Sequence, residues 1–95
     1  MNNRVTIEPT EFVNVRDGTK TYGVRVYDDF GQMYDNTWES IPKDDMKVLQ
    51  KVLKSDGNEF VETMEFIKEN EKDICIGGEY YKWEEIKKYF DEVNE

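Results

Sequence analysis

Apolar and polar side chains alternate in the two-residue period of β-strands over the first forty residues. Val5 and Ile7 begin this pattern, Pro9 is predicted to interrupt it, and it resumes toward the Asp17–Gly18 dipeptide. Asp-Gly is a strong hairpin signal because such a turn needs positive φ values. We therefore predict a hairpin at this dipeptide, followed by a strand from about Lys20 to Tyr27.

A second turn is predicted at residues 28–31, where two aspartates precede Phe-Gly. It returns the chain into a further strand over residues 32–38, which ends at Trp38. Strands joined by such short turns pair with their neighbours along the chain. The first part of the molecule is therefore expected to be an antiparallel meander of three to four strands.

The apolar period becomes helical after Ser40, which is predicted as an N-cap with Pro42 in the first helical turn. A second helix is predicted from about Glu59 to Asn70. The apolar residues that share the inner face of each helix are Met46, Leu49, Val52 and Leu53 in the first, and Phe60, Met64 and Ile67 in the second.

The short β-branched run at residues 74–76 and the Gly77–Gly78 pair predict a tight hairpin. A last helix begins near Trp83, with Ile86, Tyr89, Phe90 and Val93 on its apolar side. Strands come first and helices later, which favours an α+β fold over an alternating one. We expect residues 1–95 to form a single domain: an antiparallel meander, two helices, a short β-hairpin and a C-terminal helix.

Charge is spread unevenly along this chain, whose net charge is −9. Residues 1–54 hold nine acids and eight bases, whereas residues 55–95 hold thirteen acids and five bases. A strongly acidic protein does not suit direct binding to nucleic acid, which relies on neutralising phosphates. The acidic excess instead predicts a basic partner protein, itself expected to bind nucleic acid.

The acids of the second helix cluster on the side opposite its apolar stripe, at Glu62, Glu65 and Glu69. Helical rise sets these carboxylates about 4.5 and 10.5 Å apart along the axis, which is of the order of backbone phosphate spacings. One interpretation is a surface that imitates nucleic acid. The other is a solvated face that keeps a small domain soluble, since such like-charge neighbours cost only about 0.2–0.5 kcal/mol per pair.

An aromatic anchor is also expected, because protein interfaces favour tyrosine and tryptophan. Strand alternation turns one of Tyr80 and Tyr81 inward and the other outward, and the outward one would act with Trp38 or Tyr27. The candidate partner-binding residues are Glu62, Glu65, Glu69, Glu59, Asp56, Glu79 and Tyr80.

Other candidate chemistry is weaker. Asp28, Asp29, Asp35 and Glu39 supply the oxygen ligands that Mg²⁺ and Ca²⁺ prefer, but their spacing does not match an EF-hand loop and Asp-Asp before Phe-Gly is common turn chemistry. Cys75, between two isoleucines, is expected to be a small buried hydrophobic residue or a strand residue rather than a nucleophile. We predict no metal and no cofactor.

Several functions are disfavoured by what the composition lacks. There is no histidine, which removes the commonest general base and the usual nucleophile–histidine pairs. A single cysteine forms no intramolecular disulfide, and no signal peptide or apolar membrane span is visible. The expectation is a cytoplasmic protein that is not an enzyme and does not enter a membrane.

In size, acidity and its lack of alanine, the chain resembles the small phage-encoded counter-defence proteins, which include nucleic-acid mimics and anti-CRISPR inhibitors. This resemblance covers bulk properties and implies an inhibitor that occupies a basic surface of a nucleic-acid-processing protein. Three alternatives stay open: a toxin-immunity or antitoxin-like binder, a homo-oligomeric accessory protein, and a small carboxylate or metal-dependent enzyme. The homo-oligomer, for example a homodimer, is indicated by an exposed strand edge and surplus aromatic residues.

Overall fold

The computed structural model describes residues 4–28, 31, 33–55 and 57–93 of the chain. The secondary structure confirms the predicted α+β class: a three-strand meander, two helices, a short hairpin and a last helix. In chain order the elements are β1 (Arg4–Val13), β2 (Lys20–Tyr27), β3 (Met33–Trp38), α1 (Asp45–Leu53), α2 (Asn58–Asn70), β4 (Asp73–Ile76), β5 (Glu79–Tyr81) and α3 (Trp83–Val93).

The five strands of the described chain form one mixed sheet in the order β3-β2-β1-β4-β5. Pairing is antiparallel within the meander and within the hairpin. Strands β1 and β4 pair in parallel, from Arg4 opposite Asp73 to Ile7 opposite Ile76. The sequence predicts the meander and the hairpin but not that β1 and β4 join them into one sheet. A short strand carries no local signal for the strand beside it.

Strand β1 runs through Pro9 without interruption, so the prediction that this proline breaks the strand is wrong. Gly77 donates its N–H to the carbonyl of Ile7, so the backbone polar groups of Ile7 face β4. By the two-residue period, those of Pro9 face the same side. Strand β4 ends opposite Ile7. The N–H that proline lacks therefore points to an open part of the edge and removes no bond from the sheet.

Local turn chemistry forms both short hairpins as predicted. Gly18 has a φ of +73°, and the Asp17 carboxylate beside it accepts hydrogen bonds from the backbone N–H and the hydroxyl of Thr19. These bonds lower the pKa of Asp17. Between β4 and β5, Gly77 and Gly78 have φ values of 55° and 91°, as a two-residue type I′ turn requires.

Helix α1 begins at Asp45, so the predicted cap at Ser40 and the placing of Pro42 in the first turn are wrong. Asp44 is the N-cap residue, and its carbonyl accepts the N–H groups of Lys47 and Val48. Two consecutive aspartates at the start of the helix suit its positive dipole end better than Ser40 does. Residues 39–44 instead connect β3 to the helix.

The hydrophobic core lies between one face of the sheet and the three helices of the described chain. Helix α1 contacts both α2 and α3. The rings of Trp83 and Phe90 meet at 5.0 Å between centroids, and both residues pack in or against the core. The buried core residues are Val5, Ile7, Val24, Val26, Val48, Leu49, Val52, Phe60, Met64, Ile67, Ile74, Ile76, Ile86 and Phe90.

The opposite face of the sheet carries no helix among the described residues and is covered by side chains of the strands themselves. Cys75 lies on this face, because its neighbours Ile74 and Ile76 point into the core, and its side chain is half-buried. The guanidinium carbon of Arg25 lies 5.4 Å from the Phe12 ring centroid, and that of Arg4 lies 5.6 Å from the Tyr80 ring centroid. These cation–π contacts shield the aromatic rings on this face.

Candidate protein-binding surface

Helix α2 separates a buried apolar side from an exposed acidic side. Its buried residues are Phe60, Thr63, Met64 and Ile67. The glutamates at positions 59, 62, 65 and 69 are all exposed, and at 3.6 residues per turn the last three fall within an arc of about 60°. We call these four residues, Glu59, Glu62, Glu65 and Glu69, the acidic face of α2.

No ion pair between described residues involves the acidic face of α2. The pairs in the part of the chain that the structure describes all lie within the first 47 residues, and they join Lys20 to Glu11, Arg25 to Asp35 and Lys47 to Asp44. The carboxylates of this face therefore project toward solvent, and no base in the described part of the chain compensates their charge by direct contact.

Several lysines of the acidic second half contact aromatic rings. The Nζ atom of Lys72 lies 5.3 Å from the centroid of the Phe66 ring, and that of Lys88 lies 5.3 Å from the Tyr89 ring. Lys82 lies 5.8 Å from the ring of Tyr80. Cation–π contacts of this kind hold a lysine near an aromatic surface. None of these positions brings an ammonium group into an ion pair with the acidic face of α2 among the described residues.

Asp28, which the sequence indicates as a turn residue or a candidate metal ligand, contributes negative charge at Tyr34, beside the start of α2. Burial raises the pKa of the Tyr34 hydroxyl, and the negative charges of Asp28, Glu62 and Glu59 raise it further. The Tyr34 ring also packs against Phe60, at 6.4 Å between centroids. Tyr34 on β3 thus lies beside α2, within the electrostatic reach of Asp28 at the end of β2. No local sequence pattern shows this proximity.

Glu79 and Tyr80 lie on β5, at the far edge of the sheet from Tyr34 on β3. Four strand spacings of about 4.8 Å separate these two edge strands. Glu79 and Tyr80 are both exposed. The structure therefore does not gather the predicted binding residues into one cluster: the four glutamates of α2 share one face, and Glu79 and Tyr80 lie elsewhere.

The two adjacent tyrosines of β5 point to opposite sides, as predicted. Tyr81 is half-buried and donates its hydroxyl to Asp45 at 2.6 Å, and this bond together with burial and nearby acids raises the pKa of Tyr81 to about 12. Tyr80 is exposed and donates its hydroxyl to Asp73, which raises the pKa of Tyr80. The same bond, helped by the backbone N–H of Trp83, lowers the pKa of Asp73.

Asp35 and Glu39, which are the remaining candidate acids within the described residues, do not form a site. Asp56 and Asp29 lie outside the described residues. Asp35 forms an ion pair with Arg25 at 3.2 Å on the helix-free face of the sheet, and Glu39 is exposed. Among the residues the structure describes, no group of three or more acids and cysteines is placed to hold a metal ion, and no helix is long and apolar enough to cross a bilayer.

An open groove of about 660 Å³ lies beside Trp38, at the opposite end of β3 from Tyr34. Its basic groups are engaged: Lys20 pairs with Glu11 at 3.3 Å, and Lys51 lies 5.4 Å from the Trp38 ring centroid. The residues that line the groove are Lys20, Thr21, Thr37, Trp38, Glu39 and Lys51.

No protein-family model, curated protein or solved structure matches this chain. What the molecule binds is therefore inferred from its own surface. The feature that departs most from an ordinary solvated surface is the acidic face of α2, because it combines exposure, close spacing and the absence of paired bases among the described residues.

Proposed function

We propose that this protein is a non-enzymatic inhibitor that binds, through the acidic face of α2, a basic surface on a nucleic-acid-processing protein. The observation that carries the proposal is the uncompensated row of exposed carboxylates at Glu62, Glu65 and Glu69. A basic groove that normally holds a phosphate backbone presents the lysines and arginines that complement such a row.

The structure supports the proposal through rigidity as well as charge. The inner side of α2 is anchored by Phe60 and Ile67, which are 4 % and 0 % exposed, so the glutamates project from a helix that is fixed to the core. Fixed charges lose less conformational freedom on binding than charges on a flexible tail do. Asp28 and Glu59 extend the negative surface toward β3, beside Tyr34.

Charge complementarity of this kind mainly accelerates capture and selects the partner. Association is therefore expected to weaken as salt increases, since exposed charges are screened over about 8–10 Å at physiological ionic strength. A face that serves only to keep the protein soluble would show no such partner. This difference makes the proposal testable.

The experiment is affinity capture from a bacterial lysate with three immobilised proteins: the wild type, E62Q/E65Q/E69Q, and the matched control E8Q/E39Q/E84Q. Both variants lose three exposed negative charges, so only the location differs. We expect the wild type and the control to retain the same nucleic-acid-processing protein, which high salt releases. We expect the α2 variant to lose most of it.

The captured protein is then tested for binding to its own DNA or RNA with and without this chain. Inhibition by the wild type and not by E62Q/E65Q/E69Q supports a mimic of nucleic acid. Equal retention by both triple variants would show that net charge and not the acidic face of α2 determines binding. Absence of any retained partner would also contradict the proposal.

A further inference from the structure

Part of strand β1 has an open edge. Beyond Ile7, where β4 ends, the backbone groups of alternate residues face away from β2. These are the N–H and C=O groups of Glu11 and Val13, because they share the two-residue period of Ile7. No hydrogen bond between described residues uses the N–H of Glu11 or Val13. We call residues 8–13 on this side the outer edge of β1.

The other two edges of the sheet are less available. Strand β5 is only three residues long. On β3 the outward-facing residues alternate with those paired to β2, and they include Thr37. The Thr37 N–H is already donated to the side-chain oxygen of Asn36 at 2.9 Å. A bond of this kind leaves the edge strand with one backbone donor fewer for pairing with another strand.

We propose that the outer edge of β1 pairs antiparallel with the same edge of a second copy of this chain, centred on Phe12. In this register Glu11 of each copy lies opposite Val13 of the other. The two residues exchange both of their N–H···O=C bonds, as a hydrogen-bonded antiparallel pair does. The sheets of both copies then form one continuous sheet across a two-fold axis.

The side chains around Phe12 suit this register. The two Phe12 residues occupy the non-hydrogen-bonded position, where Cα atoms lie about 4.5 Å apart and side chains pack closely. Both rings lie on the helix-free face of the sheet, where each is already held by its own Arg25. Val13, which is 55 % exposed in the single chain, gains a covering strand.

Charge and proline distinguish this register from the next one. Pairing centred on Glu11 would place two glutamates directly opposite each other and would require Pro9, which has no N–H, to face Val13. Centring on Phe12 avoids both problems, because Glu11 then lies opposite an apolar residue. Lys20 already neutralises Glu11 within its own chain at 3.3 Å. Like charges opposite each other destabilise paired strands.

The dimer is independent of the proposed partner binding and responds oppositely to salt. Two chains that each carry a net charge of −9 repel one another, so screening strengthens their pairing. Binding of a basic partner weakens under the same change. The contact is also short, so the dimer is expected to form at high protein concentration and to dissociate on dilution.

The first test is sedimentation equilibrium of the wild type, E11P and E11Q at increasing concentration and salt. Proline at position 11 removes an outward N–H without removing a bond to β2, whereas glutamine keeps it. We expect wild type and E11Q to dimerise more strongly as salt rises, and E11P to bind at least tenfold more weakly. A wild type that stays monomeric at the highest concentration, or an E11P that dimerises equally, would overturn the proposal.

The second test needs no variant and decides the matter if E11P does not fold. Amide hydrogen exchange of the wild type is measured by NMR at low and high protein concentration. Exchange at Glu11 and Val13 is expected to slow as concentration rises, while Phe12, whose N–H faces β2 in either state, stays unchanged. Exchange at Glu11 and Val13 that does not depend on concentration would show that this edge does not pair.

Discussion

The two halves of the chain treat their charges differently. In residues 1–54, acids and bases are nearly equal in number, and neighbouring strands pair some of them, as Arg25 does with Asp35 at 3.2 Å. After α1, acids greatly outnumber bases, and Lys72, Lys82 and Lys88 contact aromatic rings. The carboxylates of α2 remain directed to solvent.

This difference shows that a charge count does not by itself identify a binding surface. The count locates the excess in the second half, but it does not show which of the thirteen acids there pair with the five lysines. The structure adds that no base pairs with the acidic face of α2 among the described residues. Variants that disrupt the packing of either half, or that change its charged and polar side chains, test this comparison.

The largest expected effect breaks the meander at Gly23. A Cβ atom at this position would lie 1.9 Å from the Asn36 carbonyl oxygen, so alanine forces β2 and β3 apart. We expect Gly23→Ala to lower the free energy of unfolding by about 3–4 kcal/mol, measured by urea denaturation. Gly57→Ala is the control, because its Cβ makes ordinary contact with Phe60 at 3.6 Å. Equal losses in the two variants would contradict the close approach.

The next effect separates the two sides of α2. Ile67 is fully buried, so Ile67→Ala is expected to lower the free energy of unfolding by about 3 kcal/mol through the cavity it leaves. Glu65→Ala, on the acidic face, should change it by less than about 0.5 kcal/mol. Urea denaturation of both variants measures the difference. A large loss in Glu65→Ala would mean that this glutamate is structural.

A smaller effect concerns the Asp45 carboxylate, which accepts a hydrogen bond from a tyrosine hydroxyl. Tyr81→Phe removes the hydrogen bond to Asp45 and is expected to cost about 1 kcal/mol. Because folding raises the pKa of Tyr81 to about 12, the stabilisation is complete below the ordinary tyrosine pKa near 10 and is lost as pH rises from there to about 12.

Denaturation of the wild type and Tyr81→Phe across this alkaline range, with tyrosinate absorbance followed in parallel, provides the measurement. The difference in stability between the two proteins should shrink as pH rises. A difference that stays constant through the range would contradict the role of the neutral Tyr81 hydroxyl.

The smallest effect lies at the end of α2, where Glu71 adopts a left-handed conformation with φ of 50°. Glycine takes this conformation without the steric penalty of a side chain. Glu71→Gly should therefore raise the free energy of unfolding by about 0.5 kcal/mol, which a shift in melting temperature would detect. Glu71→Gln removes the same charge without relieving the backbone, so an equal gain in that variant would assign the effect to charge.

The sequence predicts those features that depend on near neighbours along the chain. Asp17–Gly18 and Gly77–Gly78 mark their turns, and the period of Phe60, Met64 and Ile67 identifies the buried side of α2. The predicted N-cap of α1 is wrong by four residues, because Ser40 has the chemistry of a cap and nothing local shows that a non-helical connection continues past Pro42.

Features that depend on contacts between residues far apart along the chain are not predicted by the sequence pattern. The parallel pairing of β1 with β4 joins residues about seventy positions apart, and Pro9 is tolerated because this pairing ends at Ile7. The same pairing separates Tyr80 from the acidic face of α2 by the width of the sheet. Asp28, Glu59 and Glu62 all act on the Tyr34 hydroxyl, although they lie far apart along the chain.

The most direct measurement of the central claim is an NMR chemical-shift titration of the wild type with an oligolysine peptide at low salt. If α2 carries the dominant uncompensated negative surface, the largest shifts will fall on amides of residues 59–69 and of Asp28, and added salt will abolish them. Shifts of equal size at Glu8, Glu39 and Glu84 would contradict the claim, because they would show a negative charge spread evenly over the molecule.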